Sequence, residues 1–102
     1  MAIRHLVLMR LKPGVFTKEA LQDYRDTFAA LKEALPGDVL DARVYENAVD
    51  RPQNMTVMVE MILKEEASLP RYLQHPLHQA IGRRYNPSVE AIASFDCGVD
   101  GP

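Results

Sequence analysis

From Ile3 to Lys12 the chain separates into two alternating sets, Ile3, His5, Val7, Met9, Leu11 and Arg4, Leu6, Leu8, Arg10, Lys12. Period two over ten residues predicts a strand. Its first set is apolar except for His5, and its second is apolar at the centre, so both sides of the strand need cover. Pro13-Gly14 ends it with turn chemistry. The rhythm then changes: Leu21, Tyr24, Phe28, Leu31 and Leu35 recur at three- and four-residue steps after Thr17, which reads as an N-cap, with Glu19 near the positive end of the helix dipole. Lys18, Gln22, Asp23, Arg25, Asp26, Lys32 and Glu33 fall on the opposite, solvated side, and Pro36-Gly37 supplies the stop.

Val39 to Val49 predicts a second strand, Asn47 to Asn54 an exposed connection, and Met55 to Leu63 a third strand. That third strand carries Met55, Val57, Val59, Met61 and Leu63 on one face. Thr56, Met58, Glu60 and Ile62 on the other are again more apolar than a solvent face requires. Ser68 reads as the cap of a short helix with Pro70 in its first turn, Pro76 divides it from a second helical piece, Leu77 to Tyr85, and Asn86-Pro87 breaks the chain again. Val89 to Cys97 alternates as a fourth strand before a Gly-containing tail from Gly98 to Pro102.

The order β-α-β-β-α-β predicts an α+β, ferredoxin-like protomer: a four-stranded antiparallel sheet with helices on one face. The other face would be bare. Because strands one and three are apolar on both faces, and monomers rarely expose a large apolar patch, a homodimer closed by sheet-to-sheet packing is expected. A ligand against the methionine-rich positions is the rival explanation.

Composition narrows the rest. Apolar residues make up 47% of 102 residues and charged residues 25%, ordinary values for one globular domain. Twelve basic against fourteen acidic residues give a net charge of −2, so no basic field favours nucleic acid as a partner. No apolar run reaches membrane-spanning length, the start lacks a signal-peptide pattern, and a single cysteine, Cys97, favours a cytoplasmic setting without disulfides. Residues 1–98 are expected to form the domain, with 99–102 as a tail.

His5, Tyr72, His75 and His78 are the residues able to carry chemistry. On a regular helix, positions 72, 75 and 78 share about a third of the circumference, although Pro76 forces His75 out of the helical region. A histidine near neutrality can accept a proton, and a neighbouring phenol can hydrogen-bond a developing enolate. Against this, His78 and Tyr72 could be half-buried packing residues. The reading preferred for His75 is structural: it caps a helix end, its cationic form suiting the negative dipole. His5 is either a polar group in a ligand cavity or a core histidine bonded to a backbone carbonyl. His75 and His78 alone do not complete a metal shell, so no metal is expected. Cys97 reads as a small buried hydrophobe, and the lack of Gly-x-Gly-x-x-Gly and P-loop patterns leaves no cofactor expected.

These residues resemble the stress-responsive A/B barrel, or Dabb, family. The resemblance is carried by Ile3-Arg4-His5-Leu6-Val7-Leu8-Met9-Arg10-Leu11-Lys12-Pro13-Gly14, by Tyr72-Leu73-Gln74-His75-Pro76-Leu77-His78 and by Ser94-Phe95-Asp96-Cys97. It implies a dimeric α/β barrel and, through the plant polyketide cyclase branch typified by olivetolic acid cyclase, cofactor-free aldol chemistry. There Tyr72 and His78 would be the catalytic pair, with His5 lining the same cavity. That branch has a further histidine where this chain has Val57, which reduces the polar inventory and leaves the polyketide substrate without support. The expectation is a cavity lined by His5, Val7, Val57 and Val59 that holds a small apolar or aromatic carbonyl compound. His78 would act as base and Tyr72 as hydrogen-bond donor. A noncatalytic stress-response or ligand-binding module is the alternative, and a cofactor-free monooxygenase a third.

Overall fold

The computed structural model describes residues 1–99, which form four strands and three helices in the order β1 (Ala2–Leu11), α1 (Lys18–Ala34), β2 (Val39–Glu46), β3 (Val57–Leu63), α2 (Ser68–Gln74), α3 (Pro76–Tyr85) and β4 (Val89–Val99). A 3-10 turn, Asn86–Ser88, joins α3 to β4. The sheet order is β2-β3-β1-β4 and every neighbouring pair is antiparallel, which is the ferredoxin-like arrangement the element order anticipates.

The apolar periodicities meet on one side of this sheet. Met9 and Leu11 of β1, Val57, Val59, Met61 and Leu63 of β3, and Val39 and Val44 of β2 are buried with Leu21, Tyr24, Phe28 and Leu31 of α1. Thr17 caps α1 as the sequence indicates, its hydroxyl accepting from the Ala20 amide at 3.1 Å. Gly14 takes a φ of +79°, the conformation that ends β1 in a tight turn.

The opposite side of the sheet is bare in a single chain. Leu6 and Leu8 lie between Glu60 and Met58 of β3 and Phe95 and Ala93 of β4. Phe95 is 61% exposed. Cys97, expected to be buried, is half-buried on this face, directly across from Arg4. The helices pack on the other side of the sheet, so none of them covers it.

Several boundaries differ from those read in the sequence. β2 stops at Glu46 instead of Val49: the Asn47 amide makes one more cross-strand bond, to the Thr56 carbonyl at 3.0 Å, and beyond it the Asn47 side chain donates to the Val49 carbonyl while Asn54 donates to both Asn47 and Val49. β3 starts at Val57 instead of Met55, where the Thr56 hydroxyl replaces a backbone carbonyl as acceptor for the Leu11 amide. Gly98 and Val99, read as tail, pair with Ile3 and Ala2 in β4; residues 100–102 of that tail lie outside the described residues. Ser68 is not a cap. Ala67 occupies that position, and the fully buried Ser68 hydroxyl donates instead to Asp38 (2.8 Å). Arg71 grips the same carboxylate through Nε and Nη2 at 2.7–3.1 Å, and these hydrogen bonds hold the Asp38 carboxyl below its ordinary range. The start of β2 thereby pins α2, and the next residue after Arg71 is Tyr72.

Candidate functional site

The break at Pro76 is what shapes the site. Proline cannot donate a backbone hydrogen bond and pushes the residue before it into extended geometry; His75 has φ −69° and ψ 140°, ending α2 and starting α3. Its Nδ1 accepts from the Leu77 amide at 3.1 Å. His75 is thus a cap on both sides of the break: its backbone amide donates to the Tyr72 carbonyl at the end of α2, and its side chain accepts at the start of α3.

Because the Leu77 amide turns to His75, the Leu73 carbonyl is left to the His78 side chain, whose Nδ1 donates to it at 3.0 Å. A carbonyl only accepts, so Nδ1 carries the proton and Nε2 of neutral His78 keeps its lone pair. Burial holds the His78 pKa below its ordinary 6.5, against the opposing effect of the hydrogen bond that the ring donates to the Leu73 carbonyl, and His5 adds to the lowering. His78 is therefore uncharged at neutral pH. The sign for stability follows: unfolded chains bind the proton first as pH falls through 6.5, so stability rises with pH across the window from the folded midpoint up to 6.5. An NMR titration of the His78 ring is expected to give a midpoint below 6.5, and His78→Gln to flatten the melting temperature in that window; a midpoint at or above 6.5 would contradict the burial effect.

Tyr72 stands between two imidazoles. Its ring meets His78 edge to face at 4.7 Å and His5 at 6.0 Å. It is buried, and that burial raises its pKa above the ordinary phenol value, so the hydroxyl stays protonated and able to donate. His5, 6% exposed, projects from β1 into the same space, and its Nδ1 donates to Asp96 Oδ1 at 2.5 Å. The partner is a carboxylate on β4, not the backbone carbonyl considered from sequence. Asp96 was not singled out: its place beside His5 comes from the β1–β4 register, which pairs residues 91 apart. The available signal was period two in β4, which puts Asp96 on the side of Ile92 and Ser94.

His5, Tyr72 and His78 line one cavity of about 80 Å³ between the sheet and the helices. Val7, Met9, Val59 and Met61 form its sheet wall and Phe28 and Ile81 part of its helix wall. Val57 does not belong to it. The β3 register sets Val57 opposite Met9 and Glu46, at the far end of the strand, where it is buried in the core. His75, bonded within its own turn, is likewise outside the lining. Since about 10–15 Å³ of such space admits one water, the cavity suits a compound the size of a small aryl ketone. Among the described residues, no group of three or more His, Cys, Asp or Glu side chains is placed to hold a metal ion.

Antiparallel sheet, one-sided helices and a chamber between them with two imidazoles and a phenol define an α+β protein of ferredoxin-like topology. The chain belongs to the Dabb family, the Stress responsive A/B Barrel Domain, which matches residues 3–99. It is 36% identical over 83 residues to an uncharacterized protein of Streptomyces coelicolor, the match covering 76% of this chain and 80% of that one. Among solved structures it is similar to a dimeric ferredoxin-like protein of unknown function from Thermobifida fusca, with a TM-score of 0.78 at 20% identity over 97% of this chain and 92% of that one. A hydroxynitrile lyase from Passiflora edulis superposes with a TM-score of 0.80 at 15% identity, covering 99% and 95% of the two chains.

Proposed function

We propose that this protein is a homodimer, closed by packing of its bare sheet faces, and that it binds a small, largely apolar or aromatic carbonyl compound in the His5–Tyr72–His78 cavity. There it carries out cofactor-free proton transfer beside the carbonyl, the first half of aldol-type chemistry. The observation that carries the reading is the pairing of a His78 whose Nε2 is left with its lone pair and a buried, protonated Tyr72 in one mostly apolar chamber. Nε2 takes the proton from the carbon next to the carbonyl, and the electron pair moves onto the carbonyl oxygen. The Tyr72 hydroxyl hydrogen-bonds that oxygen as its charge grows. Return of the proton to carbon completes an exchange cycle; in the aldol branch the enolate carbon attacks a second carbonyl and the protonated Nε2 gives its proton to the new alkoxide oxygen, which regenerates the base. Asp96 fixes which nitrogen of His5 faces the chamber.

Pairing of two copies is supported by area as well as by pattern. The chain exposes 6491 Å², about 700 Å² above the ~5,800 Å² typical of a folded monomer of 11.5 kDa. That excess is close to what one partner contributes to an interface of standard size, about 800 Å².

Native mass spectrometry of protein purified from its own source tests both parts together. The expected result is a mass of twice 11.5 kDa with a small molecule retained. A bare monomer would count against both; a ligand that binds but is never turned over would leave a noncatalytic binding module.

A further inference from the structure

The back of the chamber is closed: Phe28 of α1 and Val59 of β3 line it and are buried. Its front is not. Ile92 of β4 lines the same chamber and is 61% exposed. The register pairs Ile92 with Met9, which is 7% exposed, so both side chains stand on the helix side of the sheet, where cover would be expected. Ser94 and Asp96 follow on that side and are exposed as well. The helices stop short of this edge. α1 packs over β2, the opposite edge of the sheet, and α3 lies beside α1, its Leu77, Ala80 and Arg84 sharing a groove with Thr27, Ala30 and Ala34. The chamber is therefore open to solvent between α3 and β4.

On the far side of α3 from α1, His78, Gly82 and Asn86 recur a turn apart, and each lines both the chamber and the shallow groove outside it. The residue at the middle of this stripe is the unusual one. Glycine inside a helix is unfavourable relative to alanine, and among the described residues Gly82 is the one glycine within a helix. Backbone conformation does not require it, since among the described residues positive φ is confined to Gly14. Close packing does not require it either. Apart from its chain neighbours and helix backbone, a Cβ at Gly82 would meet only Nδ2 of Asn86, at 3.5 Å, an ordinary contact. What a longer side chain would occupy is the open space between His78 and Asn86.

We infer that Gly82 is the access residue of the chamber: its missing side chain keeps open a mouth, with Ile92 as the other lip, and so sets the width of the carbonyl compound that is admitted. This rests on the cavity being the ligand site proposed above. With glycine the mouth passes a flat aromatic ring. With a branched side chain in its place, an unbranched alkyl ketone would still thread through and an aryl ketone would not. A helix weakened at Gly82 is in this way exchanged for a broader range of ligands.

The test follows acetophenone and 2-octanone, ketones of equal heavy-atom count and different width, binding to the intact protein through exchange broadening of the His78 ring signal in NMR. Wild type is expected to take up and release both. In Gly82→Leu the association and dissociation rates of acetophenone are expected to fall together by about 5- to 100-fold, the range for forcing a group past added methylenes in a filled space. Those of 2-octanone are expected to stay within about twofold. Ile92→Phe narrows the mouth from the exposed strand and is expected to act in the same direction, so the result does not hang on the folding of one variant. Gly82→Ala is expected to raise the melting temperature by about 4–8 °C; a fall would show that the fold itself needs the glycine and would overturn the inference. Acetophenone rates unchanged in both narrowing variants, or both ketones slowed alike, would overturn the role of Gly82 and leave the cavity reading intact. Neither ketone moving the wild-type His78 signal would remove the cavity reading, and this one with it.

Discussion

Replacing His78 by alanine is expected to slow enzyme-dependent exchange of the methyl protons of acetophenone for deuterium by about 10²–10⁴-fold, the usual worth of a positioned general base. Exchange in D₂O followed by proton NMR reads the step assigned to Nε2 without knowledge of the natural substrate. The fold is expected to persist, because His78 is only partly buried and its single hydrogen bond goes to the Leu73 carbonyl. Tyr72→Phe separates the two roles. It retains the ring against both imidazoles and removes the donor, and a loss of about 10²–10³-fold is expected, as for deletion of one oxyanion donor. Exchange at the wild-type rate in His78→Ala would remove the base from the proposal.

Leu8→Arg is expected to convert the assembly from a dimer to a monomer. Leu8 occupies the centre of the open sheet face, with Met58 and Ala93 as its cross-strand neighbours. In a lone chain the added guanidinium would reach water at little cost. Between two sheets it would be a buried charge without a partner, at a cost of several kcal/mol. Sedimentation equilibrium should show the mass fall from twice 11.5 kDa to 11.5 kDa while circular dichroism keeps its folded signature. A dimer that survives the substitution would place the interface elsewhere.

Much of this architecture is legible in one sequence because its signals are local. Period two in Ile3 to Leu11, period 3.6 from Leu21 to Leu35, and the Pro36-Gly37 and Asn86-Pro87 breaks each act within a few residues. What the sequence concealed depends on partners far apart in the chain. Ser68 looks like a cap until Asp38, thirty residues earlier, takes its hydroxyl. Asp96 looks like a solvent-facing strand residue until the sheet register delivers it to His5. Val57 shares a strand face with Val59 and still belongs to the core, because depth along a strand is not encoded in alternation. Tyr24 reads as one more apolar contact of α1, since the lack of a partner for a hydroxyl leaves no trace in a sequence pattern.

The interruption at Pro76 has a consequence for how the base could be altered. In an unbroken helix the Leu73 carbonyl would accept from the Leu77 amide; here the amide is diverted to His75 and the oxygen orients an imidazole instead. Which nitrogen of His78 keeps its lone pair is thus selected by a gap in the backbone ladder, not by another side chain. Pro76→Ala would let that gap close, freeing the ring to rotate and exchange tautomers while every functional group stayed in the protein. Basicity and aim in this chamber can accordingly drift through changes to the main-chain path alone, so two proteins sharing the same histidine and tyrosine need not share a reaction.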